Sequence, residues 1–116
     1  MTENLNVFEE AVVRHVAHKT GWTGDLESGT TTLRVPERDP DVVGFYSTVL
    51  HSSRDFKLSS MNPAQPPTLI VRHSKLEHDG IVTVWVAAEG LITGIEAVTF
   101  ASEPWPYGDV SDFLFE

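Results

Sequence analysis

Thr68-Leu-Ile-Val-Arg-His73, Ile81-Val-Thr-Val-Trp-Val-Ala-Ala88 and Leu91-Ile-Thr-Gly-Ile-Glu-Ala-Val-Thr-Phe100 are β-branched, aromatic-rich runs punctuated by the turn dipeptides Asp79-Gly80 and Glu89-Gly90. Short turn signals between such runs read as an antiparallel meander of three strands. The middle run carries no charged residue, whereas a strand wet on one side normally alternates apolar with polar positions. Both of its faces are therefore expected to be covered, one by helices and the other by the carboxyl-terminal tail, by strong curvature or by a second subunit.

Upstream of the meander, Asn62-Pro-Ala-Gln-Pro-Pro67 breaks both helix and ladder and reads as a connector. Before it, Asp39-Pro40-Asp41 combines an N-cap oxygen, a proline suited to a first helical position and a second carboxylate. The expectation is a helix with Val42, Val43, Phe45, Tyr46, Val49 and Leu50 on a broad apolar face, ending near Ser52-Ser53-Arg54-Asp55. Thr30 to Val35 reads as a short strand stopped by Pro36. The first segment, Thr2 to Thr20, places Leu5, Phe8, Val12 and Val16 at helical spacing, with acids early, bases late and Gly21 as the cap.

The resulting fold class is α+β: two helices packed on one face of a mostly antiparallel, curved sheet that ends in a three-stranded meander. Residues 1–116 are expected to form a single domain, of which residues 101–116 are an acidic, aromatic tail. In architecture alone this order resembles the cone-shaped cystatin-like and nuclear-transport-factor-type folds, which host both pocket enzymes and interaction modules. No residue motif accompanies that likeness, so it transfers no site.

With 116 residues and no cysteine, the chain has length for one core and excludes a disulfide framework, a thiolate metal site and a cysteine nucleophile. The uncharged run Gly80 to Ala88 is too short to span a bilayer, and the acidic amino-terminal pattern does not read as a signal region. A cytoplasmic protein without membrane contact is expected. A net charge of -9 argues against direct nucleic-acid binding, which needs clustered Lys and Arg.

Charge is unevenly placed, since eight of the 17 acids and none of the 8 basic residues follow Lys75. Such a surface suits a basic protein partner. The tail mixes carboxylates with rings, so Glu103, Trp105, Tyr107, Asp109, Asp112, Phe113 and Phe115 are the candidate partner-binding residues. The alternative is that its rings fold back onto the sheet. A homodimer is expected from the two apolar faces of the middle strand.

Catalytic signals are sparse. His15 and His18 lack a third ligand in register, and His73 and His78 flank a turn rather than a cleft. His51 and Asp55, with serines nearby, match a triad in composition alone, and no nucleophile elbow or phosphate loop occurs. No catalytic residue, metal or cofactor is expected. The function expected is a small acidic, non-enzymatic interaction module, such as an inhibitor, immunity or anti-defence protein, that binds a basic macromolecule. The alternative is a small pocket enzyme or ligand-binding protein lined by Tyr46, His51, Asp55 and Trp85.

Overall fold

Asn6 begins the first helix, and Glu9 secures it. The Asn6 side chain accepts the Glu9 N–H at 2.8 Å, and the Glu9 carboxylate accepts the Asn6 N–H at 2.8 Å. This reciprocal capping box satisfies two donors that the helix itself cannot. The computed structural model describes residues 3–21, 26–53, 56–58 and 64–116, and of residues 26 and 27 the backbone alone. Helix α1 spans Val7–Lys19 and stops at Thr20, with Gly21 beyond it at a φ of 86°. Val12, Val13, Val16 and Ala17 are fully buried, so the apolar stripe read from the sequence is the face that packs. Residues ahead of Asn6 are not helical: Glu3–Asn4 form a two-residue strand, β1.

A second helix, α2, is the single short turn Leu26–Thr30. The helix expected from Asp39 is instead a β-hairpin, made of β2 (Leu33–Asp41) and β3 (Gly44–His51). Its register pairs Asp41 with Gly44 and Asp39 with Tyr46. The physical reason is that Phe45, Tyr46, Thr48 and Val49 are aromatic or β-branched and suit a strand, with Phe45 and Val49 on the face that packs and Tyr46 and Thr48 on the other, while Val42 and Val43 form the turn. Asp41 serves a turn and not a helix, its Oδ1 accepting the Val42 N–H at 2.6 Å. Gly44 is required here, because a Cβ on it would lie 1.8 Å from the Ala97 carbonyl oxygen of the neighbouring strand.

Pro36 does not end its strand; it sits where the register between β2 and β3 slips by one residue, between Arg34 and Glu37. A bulge tolerates the missing N–H. It also reverses the side-chain parity, so that Leu33, Val35 and then Arg38 point to the helix side, while Glu37 and Asp39 point away.

The meander is present as read: β4 (Thr68–His73), β5 (Gly80–Val86) and β6 (Ile92–Thr99) are successive antiparallel neighbours. A last strand, β7 (Phe113–Phe115), comes from the tail and pairs with β4. Among the described residues, seven strands form one curved, open antiparallel sheet in the order β1-β2-β3-β6-β5-β4-β7. The core lies between α1 and the inner face, where Val49, Val71, Val82, Val84 and Ile95 meet Val12, Val13 and Val16. No described helix covers the outer face, which carries Thr48, Tyr46, Glu96, Thr83 and Trp85 along paired positions. No helix is long and apolar enough to cross a membrane among the described residues.

Candidate functional site

The outer face of the sheet is acidic along one side. Glu37, Asp39 and Asp41 face outward from β2, opposite Thr48, Tyr46 and Gly44 of β3. Across β3, Tyr46 pairs with Glu96 of β6, and Glu96 in turn pairs with Thr83 of β5. Asp39, Asp41, Tyr46, Glu96 and Val98 line a shallow groove of about 190 Å³. Next to it, the Trp85 ring is 36% exposed and its Nε1–H donates to Glu96 Oε1 at 3.2 Å. A rigid indole and phenol set among carboxylates can receive cationic side chains both by charge and by ring face.

Beneath the inner face, Glu9 of α1 is 0% exposed. Arg38 donates to it through Nε at 2.9 Å and Nη2 at 2.7 Å, and the Ser47 hydroxyl donates at 2.6 Å. Burial pushes the carboxyl up, but hydrogen bonds from Arg38, Ser47 and the Asn6 backbone outweigh it and hold it below its ordinary value. The same Glu9 contact, with Glu3 adding a second carboxylate, raises Arg38. The arrangement is a structural ion-pair network, and a carboxylate bound by four donors has no free position for proton transfer.

The tail residues divide between core and surface. Trp105 is 5% exposed, stacks on Phe113 at 5.6 Å and meets Phe8 and Phe45 edge-on. Phe113 is buried and Phe115 is partly buried, both against Phe8. The tail therefore folds back on its own sheet, and these rings are not free anchors. Glu103 caps a turn: its carboxylate accepts the N–H groups of Glu77 at 2.8 Å and His78 at 2.9 Å, which lowers its pKa. Tyr107 is exposed, but its hydroxyl is held by the carbonyls of Gly44 at 2.7 Å and Asp41 at 2.9 Å, latching tail to hairpin. Desolvation raises its pKa. Asp109 accepts the Ser111 N–H at 3.0 Å, which lowers its carboxyl, and begins a 3₁₀ turn, Val110–Asp112, on which Asp112 is exposed.

The residues expected to line a pocket are not gathered into one. Tyr46 and Trp85 lie on the outer face, and His51 at the end of β3 shares its Nε2 with the Ile92 carbonyl at 2.9 Å. Asp55 lies outside the described residues. A cavity of about 410 Å³ lies elsewhere among the described residues, between the start of α1, β2 and the tail. Glu77, His78 and Glu103 bring one ligand atom each within 4.8 Å of one another. Both Glu103 oxygens are already engaged by the turn they cap.

Sequence reasoning missed Glu9, Arg38 and Ser47, and it missed the outward acids of β2. The spacing Asn6-x-x-Glu9 is a capping-box signature and was the available signal for Glu9. Together these features define a helix-backed antiparallel sheet with an open acidic face. No family model, no curated protein and no solved structure matches the chain.

Proposed function

We propose that the chain is a non-enzymatic interaction protein that binds a basic macromolecular partner, and that the open sheet face is where the partner sits. The observation that carries this reading is the grouping of Glu37, Asp39, Asp41 and Glu96 around Tyr46 and Trp85 on a face without a covering helix among the described residues. The acids that follow Lys75 with no basic residue between them extend the same sign of charge to the turns and tail. The half-buried Tyr46 and the exposed Trp85 are of the residue types enriched at binding hot spots.

A second copy of the chain is the competing occupant, and the sequence favours it through the apolar middle strand. Stacking like faces would set these carboxylates against their own copies, which is unfavourable unless they are protonated or paired. A partner rich in Lys and Arg meets no such penalty. The test is to purify the tagged protein from its source, reconstitute any stoichiometric partner and measure association against salt. Support is a basic partner whose association slows both with salt and in the variant Asp39→Asn, Asp41→Asn, Glu96→Gln. Salt-indifferent binding, or a homodimer in sedimentation that Val98→Asp dissociates, overturns the reading.

A further inference from the structure

Beneath the tail lies a cavity unrelated to the sheet face just described. It holds about 410 Å³, within the size range of small-molecule sites. Its wall is mostly apolar and aromatic, built by Val7, Phe8, Phe45, Trp105, Val110 and Phe113. The rings are fixed by one another, with Phe8 edge-on to Phe45 at 5.7 Å and to Trp105 at 5.8 Å. A preformed wall of this kind needs no ordering when a ligand enters, which favours affinity.

The polar end of the cavity decides what the ligand carries. Arg38 is the one cation among its described lining residues, and four of its five N–H donors are committed: Nε and Nη2 to Glu9, Nη1 to Glu3 and Nη2 also to the Asn4 carbonyl. Two carboxylates thus share one guanidinium, leaving a local charge of about one negative unit and no open fork to grip an anion. Aromatic faces attract cations and carry no compensating preference for anions.

We propose that this cavity is a binding site for an amphipathic organic cation, a ligand with a flat apolar body and a protonated or quaternary amine. The body lies among the rings of Phe8, Phe45 and Trp105, and the amine lies at the Arg38 end, where the exposed Glu3 paired with Arg38 supplies the carboxylate in excess of the guanidinium. The site does not depend on the sheet-face partner, so either proposal can fail alone.

The experiment compares three probes with one body and three charges, naphthylmethylamine, naphthylmethanol and naphthoate, by amide NMR titration of the full chain at fixed salt. The amine is expected to saturate with shifts concentrated at Val7, Phe8, Gly108 and the Trp105 indole, and to bind about tenfold more tightly than the alcohol, with naphthoate weakest. Glu3→Gln, at an exposed carboxylate, should reduce the preference for the amine over the alcohol while leaving alcohol binding unchanged. Val7→Trp, at an exposed position on the rim, should block all three probes; if that variant misfolds, Val110→Trp makes the same test from the opposite wall. The proposal is overturned if the alcohol or naphthoate binds as tightly as the amine, if none of the probes saturates, or if the shifts fall on Tyr46 and Trp85 instead.

Discussion

At the scale of single residues, Glu9 is the fully buried charged side chain among the described residues. Its carboxylate is sequestered with Arg38 and Ser47, and removing its charge leaves Arg38 with the exposed Glu3 and the Asn4 carbonyl as its remaining acceptors. Glu9→Gln should therefore destabilise the fold by about 1–3 kcal/mol, read from urea unfolding at neutral pH. The pH dependence follows from the same contacts. Because the folded pKa of Glu9 lies below its ordinary value of 4.5, its contribution is fully present above that value and is lost as the pH falls through the folded one. Stability of the native sequence should drop on acidification below about pH 4.5, and Glu9→Gln should show a shallower acid slope over the same window. An identical slope in both proteins would mean that other carboxylates carry the acid response. None of this was legible from position 9 alone, because its partner stands 29 residues away and turns inward only because the bulge at Pro36 shifts the parity of β2.

At the scale of elements, the hairpin of β2 and β3 and the returning tail stabilise each other. The tail backbone joins the hairpin tip where the Trp105 N–H donates to the Val42 carbonyl at 2.7 Å, and the Tyr107 hydroxyl joins it again at Gly44. Trp105→Ala should cost about 3–5 kcal/mol, because it empties the centre of an aromatic cluster. Tyr107→Phe should cost about 1 kcal/mol, the net worth of one hydroxyl hydrogen bond. Thermal unfolding distinguishes the two, and a Trp105→Ala protein as stable as Tyr107→Phe would contradict the packing described. Glycines give a second contrast. A Cβ at Gly94 would meet the movable Tyr46 hydroxyl at 2.2 Å, whereas one at Gly44 meets the fixed Ala97 backbone at 1.8 Å. Gly44→Ala should be the more damaging substitution. The meander strands and α1 were readable because their turn residues and periods agree with each other. Asp39-Pro40-Asp41 was not, since the same residue types cap helices and close turns, and only the close approach of Ala97 to Gly44 decides between them.

At the scale of the whole molecule, charge and shape separate into two faces. The inner face is a closed core under α1, and the outer face is open, with acids along β2 and β6 and exposed Trp85, Val98 and Phe100 beside them. A field of one sign spread over a face accelerates encounter with an oppositely charged partner more than it slows escape. Screening acts over a Debye length of about 8 Å at physiological ionic strength, so added salt should slow association much more than it speeds dissociation. Removing charge in two places tells which surface does the steering. Asp39→Asn, Asp41→Asn, Glu96→Gln takes three charges from the sheet face; Asp109→Asn, Asp112→Asn, Glu116→Gln takes three from the tail. If the sheet face is the docking surface, the first variant should lower the association rate more, because its charges lie at contact distance while those of the tail act only through the long-range field. Trp85→Ala should then raise the dissociation rate with little change in association, as an anchor does. Equal slowing by both triple variants, together with no effect of Trp85→Ala, would make the acidity a general property of the surface and remove the open face from the account of binding.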